Sequence, residues 1–241
     1  MKTNLIKYSF IVLAALIIVG FSSCKKDDDK SDNTTLKVHY KVGDDAFAYN
    51  TTYTINGVAV KFTLAQFYMS TIKLGENAYT DKYVLVKPGE TYNLGYTEPE
   101  DYHAFTFDVG IDSATNAQTE TDFANRADDD PLALQSPKMH WSWNSGYLFL
   151  KVEGMVDTDA DGTPETVMEL HVGSNNMLRS ISLHSHLTVE KKGDNEVAIN
   201  FDLNKLFTDV DLKTNHTTHT MNNMPLAKQL MDNLSSALKV M

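Results

Sequence analysis

Cysteine is almost absent from this chain, with one in 241 residues, at Cys24. An internal disulfide is therefore excluded, and so is a cysteine nucleophile anywhere else in the sequence. Basic residues are also in deficit, 21 against 32 acidic for a formal net charge of −11. They form neither a patch nor an aromatic-interleaved strip, which argues against nucleic acid as a partner. Equally missing are Gly-x-Ser-x-Gly, His-Glu-x-x-His and a phosphate-cradling glycine loop, and no spacing pairs two carboxylates for acid–base work. The expectation is a protein that is not an enzyme. No internal repeat is visible. Tryptophan is the other rarity, with two in the chain, Trp141 and Trp143, separated by one serine.

What is present begins with a leader. Lys2 and Lys7 precede an uncharged stretch from Tyr8 to Cys24, with an apolar core from Phe10 to Phe21. That core is short of the about 20 residues a membrane span needs, so it reads as a secretory signal rather than an uncleaved anchor helix. Phe21-Ser22-Ser23-Cys24 resembles a bacterial lipobox, which makes Cys24 the lipidation site and residues 1–23 the signal peptide. The expected location is the outer membrane, held by a lipid anchor and facing the periplasm or the cell surface. Residues 24–35 carry the acidic run Asp27-Asp28-Asp29 and little to bury, and read as a solvated tether. Loss of the two leader lysines deepens the formal charge from −11 to −13.

The remaining residues, 36–241, suffice for one domain of ordinary size. Strand signals follow one another closely: Leu36–Tyr40, Val58–Phe62, Phe67–Leu74, Tyr83–Val86, Tyr102–Asp108, Thr166–Val172, Ile181–Glu190 and Glu196–Asp202. Asp122–Pro137 has the composition of a loop, and Lys191–Asn195 that of a turn between the last two strands. Leu226, Leu230, Leu234 and Leu238 recur every fourth residue, so Pro225–Val240 is expected to be a helix packed on the rest. Many short strands without alternating helices predict an all-β fold, an antiparallel β-sandwich with a short C-terminal helix.

The tryptophans sit in the most distinctive stretch, Met139-His140-Trp141-Ser142-Trp143-Asn144-Ser145-Gly146-Tyr147-Leu148-Phe149-Leu150-Lys151-Val152-Glu153-Gly154. After Gly146, Leu148, Leu150 and Val152 alternate with Tyr147, Phe149, Lys151 and Glu153, a half-buried strand with an aliphatic inner face. Before it the bulky residues occupy the opposite parity, and a turn or bulge at Asn144–Gly146 explains the switch. Met-x-Trp-Ser-Trp-x-x-Gly-Tyr-x-Phe-Leu resembles the signature of the MbnP-like proteins, also called the metallo-mystery-pair family. Phe67-Tyr68-Met69-Ser70, Phe107-Asp108-Val109-Gly110-Ile111 and Leu170-His171-Val172-Gly173-Ser174 resemble further motifs of that family, in family order.

The resemblance implies an envelope protein that binds copper, as Cu(I), beside a di-haem MauG/peroxidase-like partner enzyme. It also implies that one tryptophan, Trp141 or Trp143, is oxidised to kynurenine, and that His171 is a ligand. Relatives with the copper site commonly carry an Asn-His pair after the Phe-x-Gly-Val segment. Here Ile111–Ala117 contains no histidine, and the family's four cysteines are missing. Cu(I) accepts imidazole and thioether donors, so Met139, His140 and the tail histidine His219 are the candidates to complete the site. The alternative is an interaction or carrier lipoprotein that kept the fold and lost the metal.

Two further constellations stand apart. His184 and His186 share one face of a strand, close enough to chelate a metal given a third ligand. Asp157, Asp159 and Asp161 at alternate positions before Gly162 form the first half of a calcium loop, in which the EF-hand's twelfth position falls on Met168. Glu165 is the carboxylate expected to complete it, and a solvated acidic turn is the plain alternative.

Overall fold

The computed structural model describes residues 33–141 and 146–241. The leader, Cys24, most of the tether, Trp143 and the expected turn at Asn144-Ser145 thus lie outside the described residues. In chain order the first strands are β1 (Asn33–Val42), β2 (Asp45–Ala46), β3 (Thr52–Ile55), β4 (Val58–Leu74), β5 (Asn77–Ala78), β6 (Val84–Val86), β7 (Thr91–Tyr96) and β8 (Asp101–Val109). Helices α1 (Ser113–Asn116) and α2 (Glu120–Ala124) follow, then β9 (Leu150–Val156), β10 (Thr166–Val172), β11 (Arg179–Thr188) and β12 (Asn195–Asp202). The chain ends with α3 (Leu203–Leu206), β13 (Thr217–His219), α4 (Met224–Ala237) and β14 (Leu238–Val240).

Two sheets face each other in a sandwich-like all-β fold. The smaller runs β14-β12-β1-β2, with β7 also on β1. The larger runs β11-β8-β4-β9-β10-β13, with β3, β5 and β6 on β4. Among the described strands most pairings are antiparallel, and two are parallel: β1 with β12 and β10 with β13. Strict alternation sets the inner faces, as Leu36, Val38, Tyr40 and Val42 of β1 point inward and the residues between them do not. Phe67 of the larger sheet meets Phe201 of the smaller edge-on, with ring centroids 5.1 Å apart, so the aromatic core bridges the layers.

The structure revises several sequence expectations. Val58–Phe62 and Phe67–Leu74 are one 17-residue strand, whose register shifts at Phe62/Leu64 and Ser70/Lys73 absorb the break in alternation. The turn after Ile181–Glu190 does not close a hairpin. It carries the chain from β11 in the larger sheet to β12 in the smaller. The C-terminal helix stops at Ala237, because Leu238 and Val240 pair with Phe201 and Ile199 and close the edge of the smaller sheet. Phe149 and Lys151, assigned to an outer face, are buried. Residues from the Asp122–Pro137 segment cover that face: Tyr147 Oη donates to the Leu132 carbonyl at 2.9 Å and Tyr68 Oη to that of Pro131 at 2.8 Å. Phe149 is covered by Gly110, where a Cβ would lie 2.5 Å from its ring, and the φ of +122° at Gly110 suits glycine.

Candidate metal centre

The centre is built on the outer face of the larger sheet where β9, β10 and β13 run side by side. On β10, Met168, Leu170 and Val172 are buried, which turns Glu169 and His171 outward. The short strand β13 adds in parallel register, setting His219 opposite His171, with ring centroids 5.0 Å apart and planes at 68°. On the other side β9 brings Glu153, whose Oε1 lies 2.7 Å from His171 Nε2 and 3.0 Å from Lys151 Nζ. Trp141 closes the group: its ring stands 6.1 Å from His171 and 5.9 Å from His219, edge to face with both.

Hydrogen bonds fix each member. An ionised carboxylate only accepts, so His171 Nε2 carries the proton that reaches Glu153, and the neutral ring keeps its lone pair on Nδ1. Lys151 Nζ also donates to the Lys138 carbonyl at 3.2 Å, tying β9 to the segment that leads to Trp141. Thr220 stitches β13 to β10, as its hydroxyl donates to the His171 carbonyl and accepts from the Gly173 amide at 2.9 Å. Gly173 is itself required, because a Cβ there would stand 2.2 Å from the Tyr147 carbonyl oxygen. Beyond His171 the hairpin is held by Phe149 N–H donating to the Val172 carbonyl at 2.6 Å.

Electrostatics favour a neutral ligand. Burial pushes the His171 ring below its ordinary value, Glu153 opposes, and Lys151 and His219 push the same way as burial. Burial would raise Glu153, but hydrogen bonds from Lys151 and His171 outweigh it and hold the carboxyl low. A deprotonated imidazole nitrogen oriented by a carboxylate is the arrangement metal-ligating histidines adopt. His171 is 13% exposed at its side chain and His219 39%, so the group opens to solvent on the β13 side.

The other copper candidates lie elsewhere. His140 turns to the Phe123 ring, centroids 4.6 Å apart, and its backbone bridges Tyr147. Met139 is 1% exposed and belongs to the apolar core. Alternation along the segment explains this for His140, since its neighbour Trp141 is the residue that faces the histidines. The Ile111–Ala117 stretch forms α1, where Asn116 Oδ1 accepts the Tyr147 amide at 2.8 Å. It abuts Gly146 and Tyr147 but offers no imidazole. Glu153 and Lys151 were not among the residues the sequence singled out. Their signal was there, in the outward parity they share on β9 with His171 on β10.

The acidic loop between β9 and β10 closes on itself. One carboxylate oxygen from each of Asp157, Asp159, Asp161 and Glu165 lies within 4.8 Å of the others, a spacing that could hold a metal ion. Asp157 accepts the amides of Ala160 at 2.7 Å and Gly162 at 2.8 Å. Burial would raise its carboxyl, and these donors bring it below the ordinary value. Glu165 is pushed up by burial and by the charges of Asp159, Asp161 and Asp157. Four acids so close repel one another, which a bound cation would relieve.

Comparison with known proteins assigns the chain to one family. No curated protein matches the chain. Among solved structures, MbnP from Methylosinus trichosporium superposes with a TM-score of 0.55 at 13% identity, covering 82% of this chain and 86% of that one. Such identity shows a shared fold. The family model MbnP matches residues 31–224, most of the chain, and includes β1 to β13 with Trp141, His171 and His219. This chain therefore belongs to the MbnP family.

Proposed function

We propose that the protein is a cell-envelope lipoprotein that binds copper, as Cu(I), through His171 and His219 and takes part in copper handling as a binding module rather than an enzyme. The observation that carries this reading is the convergence of His171, His219 and Trp141 above a carboxylate that orients His171. The donor set suits a soft ion of low coordination number, for which two imidazoles are good partners. His171 would offer Nδ1, and His219 a ring nitrogen from the solvent side. The indole of Trp141 donates a hydrogen bond but has no lone pair to give. Its oxidation to kynurenine by a di-haem partner would supply an amine and a carbonyl beside the two histidines, and copper when bound would be held as a cargo ion. Anchoring through Cys24 would keep the module at the outer membrane.

The deciding experiment is Cu(I) titration of the full chain made with and without a di-haem peroxidase-like enzyme, alongside mass analysis of the Trp141 peptide. Tight binding that requires His171 and His219, and that strengthens when the peptide carries the kynurenine mass, supports the reading. A second reading, an interaction or carrier lipoprotein that kept the fold and lost the metal, draws on the histidine-free α1 stretch beside Tyr147. It is favoured if His171→Ala and His219→Ala leave copper binding unchanged.

For the acidic loop the reading is Ca²⁺, a hard cation that takes carboxylate and carbonyl oxygens. The convergence of Asp157, Asp159, Asp161 and Glu165 supports it.

A further inference from the structure

At the opposite edge of the larger sheet, β11 and β8 carry a second group of imidazoles. Their register slips between His184, paired with Ala104, and Leu187, paired with Tyr102. Three steps along β11 thus oppose two along β8, and the extra residue bends the strand. Ser185 is buried while His103, His184 and His186 are all exposed on the outer face. His184 Nε2 lies 3.0 Å from His186 Nε2, and the His103 ring is edge-on to His186 with centroids 5.4 Å apart. Without the bend, alternate side chains of a strand stand about 7 Å apart.

We propose that His103, His184 and His186 form a three-histidine site for a borderline divalent cation, with Zn²⁺ the reference ion. Two facing imidazole nitrogens 3.0 Å apart are compatible only if one carries a hydrogen and the other a lone pair. A cation can take the place of that proton. Nitrogens bound tetrahedrally to zinc at about 2.0–2.1 Å lie about 3.3 Å from each other, so the pair needs to open by only a few tenths of an ångström. Rotation of the exposed His103 side chain brings the third nitrogen, and water completes four-coordination. A linear two-coordinate ion would need the pair about 4 Å apart at the same bond length, so the bite of this pair selects against the geometry common for Cu(I). The site is also separate from the copper candidate: β11 and β10 are four strand spacings apart in the sheet order, about 19 Å, beyond the reach of one shared ion. It stands or falls independently of the copper reading.

The test is Zn²⁺ calorimetry on the untagged full-length protein in detergent, carrying His171→Ala and His219→Ala, with millimolar Ca²⁺ present to occupy the acidic loop. One equivalent of Zn²⁺ is expected to bind, and His184→Ala, His186→Ala and His103→Ala should each weaken it by about tenfold or more. Co²⁺ should give the intense visible absorption of a tetrahedral ion, lost in the same variants. In the parent protein, which needs no substitution, one equivalent of Zn²⁺ should shift the ring signals of all three histidines in NMR spectra. Affinity within twofold of the background after His184→Ala with His186→Ala overturns the site. Unchanged binding in His103→Ala, or a silent His103 ring signal, overturns its three-histidine form.

Discussion

Replacement of Glu153 by glutamine tests the logic of the proposed copper centre most directly. Its Oε1 serves two donors, His171 Nε2 at 2.7 Å and Lys151 Nζ at 3.0 Å. Glutamine keeps the shape, loses the charge and offers one oxygen and one amide donor. If the amide NH₂ faces His171, the ring must accept through Nε2 and carry its proton on Nδ1, the nitrogen proposed for the metal. Loss of such a supporting carboxylate lowers metal affinity by about 10–100-fold. Lys151, 9% exposed at its side chain, retains only the Lys138 carbonyl. A charge left with a neutral partner costs about 1–3 kcal/mol, which for a domain of this size lowers Tm by about 2–4 °C per kcal/mol. The pH dependence follows from sign. The Glu153 carboxyl is held below its ordinary 4.5, so its stabilisation is complete above that pH and is lost as pH falls through the folded value. Glu153→Gln should remove that part of the acid limb. The assays are Cu(I) competition titration and thermal melts from pH 7 to 3, with Lys151→Met as the control that removes the ammonium and leaves the Glu153–His171 bond. Copper affinity within twofold of the parent, alongside a lowered Tm, would refute the positioning role and leave Glu153 as the ion partner of Lys151.

Three shorter expectations accompany it. Ca²⁺ at ten times its Kd should stabilise the native state by about 1.4 kcal/mol by mass action, and Asp161→Asn should reduce the shift in melting midpoint; an unmoved midpoint at millimolar Ca²⁺ leaves the loop a plain acidic turn. Asp112, which caps α1 and accepts from Tyr83 Oη at 2.6 Å, is held below its ordinary 3.8 because these donors outweigh burial. Its contribution is present above that pH and fades as pH falls through the folded value, so Asp112→Ala, which removes the cap acceptor, should cost about 1 kcal/mol at pH 7 and less at pH 2 in urea melts. Cys24→Ser should release the protein from membranes or leave an uncleaved precursor in fractionation and mass spectra, and normal processing with unchanged membrane association would refute lipidation there.

The fold was legible wherever burial imposes a two-residue period. β1 alternates along its whole length, β10 from Val167 to Val172 and β12 from Asn195 to Phe201, and the boundaries of all three fall within three residues of those read from sequence. Reading failed where a strand is buried on both faces, because alternation then vanishes. Ala65 to Ser70 of β4 are all buried, so one long strand looked like two. The same effect hid Phe149, which lies against Gly110, and Lys151, whose ammonium reaches the Lys138 carbonyl, since both are buried on the face that alternation marks as outer. Which strands pair was not legible either. The Lys191–Asn195 turn has hairpin chemistry, yet β11 and β12 belong to different sheets, a choice made by packing remote from the turn.

The metal centre shows the same division between local and remote signals. His171 stands in a regular strand within a family motif, and its outward direction follows from Met168, Leu170 and Val172 alone. His219 stands in a polar tail with no apolar period, and nothing local in Thr217-Thr218-His219 says that it forms a strand. Its place depends on parallel pairing with β10, which requires the chain to pass through β11, β12 and α3 first and return to the far edge of the larger sheet. That edge would otherwise expose the unpaired backbone of β10, and Thr218, fully buried with its hydroxyl donating to the Asn223 carbonyl at 2.9 Å, anchors the covering strand. The second histidine of the centre therefore arrives as a by-product of capping a sheet edge. A side chain drawn from an edge strand is more exposed than one in the middle of the sheet, and this gives the pair its asymmetry: His171 is held by a carboxylate and largely enclosed, His219 is open to solvent, and under the proposed copper reading an incoming ion would meet His219 first.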